Sequence, residues 1–277
     1  MLRGRSFWKL TGSGNDFVFF DARHGAVSEL IDPATIDAIC DRRSGVGADG
    51  IVLFEQPVEK SELYSIRYFN RDGSLAEFCG NAALCSVRLA QVLAVADASR
   101  AERFNFHSSS GVITGGLPRS TDGDPEVSMP MPADTQATYE VTRGPGEQRI
   151  GFTRVGVPHL VVLVEDIEAI DVVNRGRELR RHPSLRAGAN VNFVQRLNGG
   201  WAMRTYERGV EAETLACGSG SVALAKMVSE WELEPRTRAV TIRTRGGRDV
   251  TVSWASAGDV PFLRGEGRLV FSGTLES

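Results

Sequence analysis

The sequence predicts an α/β protein of the α+β type, built as two pseudo-symmetric lobes. Each lobe is expected to be a mostly antiparallel strand barrel wrapped around a central helix, with the active site in the cleft between the lobes. Three observations predict this. The phrase Cys79-Gly80-Asn81 returns as Cys217-Gly218-Ser219, each time opening an apolar helical stretch. These phrases close a longer internal repeat. Short strand-like runs dominate the rest of the chain.

The repeat has four landmarks in a fixed order. Asn15 in GSGNDFVFFD falls opposite Val157 in RVGVPHLVVLVED, each a Gly-rich turn leading into an apolar strand and an acid. Gly47-Ala48-Asp49 falls opposite Gly188-Ala189-Asn190, and Ile66 to Arg71 opposite Met203 to Arg208, followed by the two cysteines. The offsets are 142, 141, 137 and 138 residues, too steady for coincidence. The expected lobes are 1–120 with 264–277, carrying Cys79, and 121–263, carrying Cys217. The polar stretch 119–126, which holds Gly and Pro, is the expected crossover between them.

Strands are expected at 17–20, 51–54, 65–69, 160–164, 192–197 and 240–244, where β-branched and aromatic residues cluster between turns. Asp32-Pro33 is a helix start, an N-cap followed by a first-turn proline, and predicts a helix to about residue 42. A helical period covers 167–180. The stretches 81–95 and 220–231 are too apolar for a surface and are expected to be the central helices. Residues 143–149 read as a hairpin turn, and 264–275 as strands returning to the first lobe.

With 277 residues the chain is long enough for two cores. Its 42% hydrophobic and 24% charged residues are those of a soluble globular protein. Membrane-length apolar runs and a secretory start are absent, so the expected location is the cytoplasm, with no membrane partner. A net charge of −3 with scattered Lys and Arg argues against nucleic acid. Metal is not expected, because Cys79 and Cys85 lack ligand spacing and no His pair follows. The expected partner is a small amino acid, and a homodimer is possible.

A thiol at a helix N-terminus meets unpaired N–H groups and the positive end of the helix dipole, which favour the thiolate. The same amides bind anions, and Gly80 and Gly218 leave room for a carboxylate to approach. Two such thiols suit inversion of a stereocentre, in which a base takes the α-proton from one face and an acid returns one to the other. Cys40 and Cys85 read as small buried hydrophobes. Asn70, Arg71, Glu207 and Arg208 end strands leading into the cysteine loops; Arg208 offers a fork for a carboxylate and Glu207 an acceptor for an ammonium. Asn15, Asn190 and Asn192 suit turns equally well, and His159 reads as structural.

Five phrases, GSGNDF (12–17), DRRSGVGADG (41–50), YFNRDGSLAEFCGN (68–81), ANVNF (189–193) and YERGVEAETLACGSG (206–220), resemble the diaminopimelate epimerase family in order and over nearly the whole length. The resemblance implies a cofactor-independent epimerase interconverting LL- and meso-diaminopimelate, with Cys79 and Cys217 as the base and acid pair. It implies a reacting carboxylate on the amides of Gly80, Asn81, Gly218 and Ser219, and a distal amino-acid end read by Asn15, Asn70, Asn190, Glu207 and Arg208. Two departures bear on side-chain specificity. Val157 stands where many members have asparagine, and the 209–213 loop is one residue longer than the shortest forms. Two other readings compete. A two-cysteine racemase of proline, hydroxyproline or histidine is disfavoured by the charged Glu207–Arg208 pair. A non-catalytic amino-acid-binding protein would have no α-proton exchange to lose.

Overall fold

Period-two runs of Phe, Val, Ile and Leu make strands because branched and aromatic side chains pack well on a pleated surface. In this chain they assemble into two units, Met1–Val127 with Arg264–Ser277, and Ser128–Leu263. The computed structural model describes residues 2–25, 27–76, 78–95, 103–117, 123–254 and 259–276. The expected lobe boundary at 120/121 and part of the 119–126 crossover lie outside the described residues.

In the first unit the elements are β1 (Ser6–Gly12), β2 (Asn15–Asp21), α1 (Pro33–Cys40), β3 (Gly50–Glu55), β4 (Glu62–Asn70), α2 (Gly80–Val92), β5 (Arg103–Ser108), β6 (Gly111–Gly116) and β7 (Glu126–Ser128). The second unit follows with β8 (Ala133–Gln136), β9 (Glu147–Val155), β10 (Val157–Val164), α3 (Val172–Arg180), β11 (Asn190–Leu197), β12 (Gly200–Glu207), β13 (Ala212–Thr214), α4 (Gly218–Glu230), β14 (Val240–Arg243), β15 (Asp249–Trp254) and β16 (Pro261–Arg264). The chain ends in β17 (Arg268–Thr274), which pairs antiparallel with β1, as expected for 264–275. β7 pairs with β6 (Gly115↔Val127, Gly116↔Glu126) and so holds the chain to the first unit beyond the expected boundary.

Both units repeat one pairing pattern. In the first, β1/β2 is antiparallel, β2/β3 parallel, β3/β4 antiparallel, β4/β5 parallel and β5/β6 antiparallel. In the second, β9/β10, β10/β11, β11/β12, β12/β14 and β14/β15 follow the same order. Parallel neighbours need a crossover rather than a tight hairpin, and each crossover here carries a helix. α1 and α3 bridge the first parallel step of their units; α2 and α4 bridge the second.

The helices cover the sheets on both faces, which is why strands such as β3 read as continuous apolar runs. On one face Ile36, Ile39 and Cys40 of α1 join Val18, Phe20, Ile51 and Leu53 in a core; the matching core around α3 holds Val172, Leu179, Leu160, Val162 and Val191. α2 is buried nearly all round and packs against β1, β4, β6 and β17, so the sheet wraps it as an open, curled ladder. Tyr64 fixes this packing. It stacks between Phe54 and Phe106 at 4.2 and 4.8 Å, and its hydroxyl lies 3.2 Å from Ser86 Oγ on α2. α4 packs in the same way on β9, β10, β11 and β15.

α1 starts where expected, while its end and the start of α3 differ from expectation. α1 begins after Asp32, which accepts from Thr35 N at 3.0 Å, and stops at Cys40 rather than 42. There Asp41 turns its carboxylate onto the amides of Arg43 and Ser44, which hold its pKa down to about 2. The period over 167–180 becomes helical only from Val172, because Arg204 Nη1 takes the carbonyls of Ile167 and Ile170. None of the described helices is long and apolar enough to cross a membrane.

Candidate active site: two cysteine-capped helices

Helix N-caps are ordinarily Ser, Thr, Asp or Asn, whose oxygens accept from the second or third helical amide. Both central helices instead start on cysteine. Cys79 caps α2 at φ −140°, ψ 109°, its Sγ accepting from Ala82 N at 3.5 Å. Cys217 caps α4 at φ −137°, ψ 108°, its Sγ accepting from Gly220 N at 3.4 Å. Sulfur is the weaker acceptor, so a thiol at two matching caps costs each helix stability that an oxygen cap would supply. Each helix has 13 residues and starts at the glycine after its cysteine, earlier than expected at 81 and 220. Glycine is a poor helix former, so the helical pattern is readable only from about 81 and 220, although the Cys-Gly phrases mark both openings.

In the first unit, Cys79 is half-buried and lines a small pocket with Tyr68, Phe78, Ser108 and Ser109. Gly80 and Asn81 form the first turn of α2, and Asn81 donates from Nδ2 to Asn15 Oδ1 at 2.7 Å. Asn15 passes the chain on, donating to Asp49 Oδ2 at 3.0 Å. Arg42 binds both Asp49 and Asp16, and the buried Lys9 donates to Asp16 Oδ2 at 2.7 Å and to the Gly47 carbonyl. Burial alone would raise the Asp16 carboxyl; Arg42 and Lys9 more than reverse this and hold it below its usual value. Asn15 is therefore no self-satisfied turn residue. Asn70 is placed differently, ending β4 with its amide on Ser74 Oγ at 3.0 Å.

In the second unit, Cys217 is buried, with Ser219 Oγ 3.6 Å from its sulfur. Asn190 accepts from Arg208 N at 2.7 Å, while Arg208 Nη1 reaches the Ala187 carbonyl at 3.3 Å. The repeat is visible here at atomic detail, since Arg71 N donates to the Asp49 carbonyl at 3.1 Å in the first unit. Burial raises the Glu207 carboxyl, and the nearby Thr214 side chain pulls it partly back. The longer 209–213 loop is pinned by Glu211, whose carboxylate accepts from Arg180, Tyr206 and Gly209 N. Val157 opens β10 opposite Val155 and brings no side-chain hydrogen bond.

Sequence reasoning undervalued Asn192 and His159. Asn192 is fully buried in β11, donating to the Leu160 carbonyl at 3.0 Å and His159 Nδ1 at 3.2 Å while accepting from Thr205 Oγ1 at 3.0 Å. Burial, then the nearby Arg208 charge, pushes the His159 pKa down to about 3, so the ring is neutral. With Nδ1 accepting, the ring proton sits on Nε2, which is buried without a partner. The available signal was the spacing of Asn190 and Asn192, which puts both on one face of β11. A Cβ at Gly220 would lie 2.4 Å from Asn192 Oδ1 and 3.2 Å from Cys217 Sγ, so glycine alone fits there. Gly220→Ala is expected to lower stability by about 1–3 kcal/mol through overpacking, outweighing the gain of about 1 kcal/mol in helix propensity. Urea melts test this, and an unchanged midpoint would show that Asn192 yields freely.

Two units of one pairing pattern, each with a thiol capping a buried helix, make this an α/β protein of two like units with a matched pair of cysteines. Comparison with known proteins agrees and narrows this. Residues 7–123 and 151–270 match the profile of diaminopimelate epimerase. A relative from Gemmatimonas aurantiaca, named diaminopimelate epimerase, is 42% identical over 98% of this chain and 99% of its own. The chain belongs to the diaminopimelate epimerase family. Solved structures share the fold at low identity. One is a Bacillus anthracis phenazine biosynthesis protein of the PhzF family (TM-score 0.72, 11% identity, 98% of each chain). Another is a hydroxyproline epimerase from Agrobacterium vitis (TM-score 0.69, 14% identity, 99% of this chain and 91% of that one).

Proposed function

We propose that this protein interconverts LL- and meso-2,6-diaminopimelate by two-thiol proton transfer, the last stereochemical step before lysine and a source of peptidoglycan precursor. The matched caps at Cys79 and Cys217 carry the reading. Cys79 takes the α-proton of the LL isomer as thiolate, and Cys217 as thiol gives one to the opposite face; the roles exchange in reverse. Amides of Gly80, Asn81, Gly218 and Ser219 receive the reacting carboxylate and stabilise the charge that develops beside it. Asn15, Asn70, Asn190, Glu207 and Arg208 read the distal end, with Glu207 for the ammonium and Arg208 for the carboxylate. The compartment is the cytoplasm, where thiols stay reduced.

The proline, hydroxyproline and histidine readings share the fold but leave Glu207 and Arg208 without a distal group to recognise. Proton NMR in D₂O separates them: α-deuteration of LL-diaminopimelate with appearance of the meso isomer is expected, with proline, histidine and lysine unchanged. Exchange of proline at a comparable rate, or of no amino acid, would overturn the assignment.

A further inference from the structure

Asp49 lies between α1 and β3 and is not among the residues proposed to touch substrate. Its carboxylate receives three donors. Oδ2 accepts from Asn15 Nδ2 at 3.0 Å and from Asp16 N at 3.2 Å, and Oδ1 accepts from Arg42 Nη2 at 2.8 Å. Its backbone is pinned on both sides, the N–H donating to the Asp16 carbonyl at 2.9 Å and the carbonyl accepting from Arg71 N. A Cβ on the next residue, Gly50, would run into the Phe69 carbonyl, so the chain has no room to shift here. Holding β2 against this loop does not need the contact with Asn15, because Asp16 already binds Lys9 and both terminal nitrogens of Arg42.

The two ends of a side-chain amide differ little in shape, so its neighbours decide which way it points. An ionised carboxylate only accepts. Asp49 therefore draws the Nδ2 end of Asn15 and leaves Oδ1 for Asn81 Nδ2, 2.7 Å away. Reversed, Asn15 would set oxygen against the Asp49 carboxylate and N–H against N–H at Asn81, which is buried in the first turn of α2 beside Cys79. Nδ2 carries two hydrogens; Asp49 takes one, and the other is left for substrate. We propose that Asp49 is a positioning residue that fixes the amide of Asn15 as a donor to the distal carboxylate, a role that rests on the diaminopimelate reading above. The internal repeat sets Asp49 opposite Asn190. Each unit then uses this place to serve the distal end, the second directly through Asn190 and the first through Asn15.

Initial rates of LL-diaminopimelate conversion, measured across substrate concentration in a double-mutant cycle, test this. Asp49→Ala is expected to raise KM about tenfold while kcat stays within about threefold. Asn15→Ala should raise KM at least as much. Adding Asp49→Ala to Asn15→Ala should raise it no further, because the effect runs through an amide that is no longer there. A merely structural role would add in both backgrounds. Asp49→Asn keeps the size of the side chain and covers the case in which Asp49→Ala does not fold. With one acceptor oxygen for three donors it should raise KM about threefold, again only when Asn15 is present. An unchanged KM, a loss confined to kcat, or a full effect in the Asn15→Ala background would overturn this role and leave the epimerase reading standing. A wild type that leaves LL-diaminopimelate unconverted would overturn both.

Discussion

Cys217→Ser should abolish conversion of LL- to meso-diaminopimelate, by roughly 10²–10⁴-fold, yet still let the LL isomer take up deuterium at its α-carbon with retained configuration. The two readouts separate because, in the proposed mechanism, each thiol serves one face. With Cys79 intact, the α-proton is removed, the sulfur exchanges it with solvent, and the deuteron returns to the face it left. A serine hydroxyl at 217 is too weak an acid to deliver the proton needed for inversion. Cys79→Ser should show the mirror pattern, exchange of the meso isomer without inversion. Both positions cap a helix, and serine is a better cap than cysteine, so the variants should melt no lower than wild type. Loss of exchange and inversion together in both variants, at unchanged stability, would mean that the thiols do not divide the faces. Unchanged turnover would remove them from the chemistry.

The cysteine pair was legible in the sequence because everything that marks it is local: a thiol, a glycine, then an apolar helical run, repeated at a constant offset. The strands at 17–20, 51–54 and 160–164 were legible for the same reason, lying within β2, β3 and β10. What remained hidden depends on partners distant along the chain. Asn192 looks like a turn residue until β11 is laid parallel to β10, when its amide meets Leu160 and His159. Lys9 gives no sign that it will be buried, since its ammonium is met by the Gly47 carbonyl, 38 residues on. The late start of α3 rests on Arg204, a residue of another strand. The repeat itself foretold more than the local patterns did. It matched Asp49 with Asn190 and Arg71 with Arg208, and the structure joins each pair through an arginine amide, once to a carbonyl and once to a side-chain oxygen.

Acid should expose the cost of the neutral His159. Its pKa is about 3 in the fold against an ordinary 6.5, so between those values the unfolded chain binds a proton that the folded chain refuses. Stability therefore falls as pH falls through this window, by up to about 1.4 kcal/mol per pH unit from this group alone. Above pH 7 the ring is neutral in both states and contributes no slope. Carboxylates held low in the fold, Asp41 and Asp16 among them, add a slope of the same sign at lower pH. His159→Gln isolates the histidine, because glutamine keeps an acceptor for Asn192 without a titrating ring, and the carboxylate contribution cancels between the two proteins. Urea denaturation at pH 7.5 and 4.5 should show the difference between wild type and variant shifting by about 2–3 kcal/mol in the variant's favour on going to acid. Parallel pH profiles would mean that the folded protein accepts the proton. The lone Nε2 would then have found water or an anion, and the buried, partnerless setting described for His159 would be wrong.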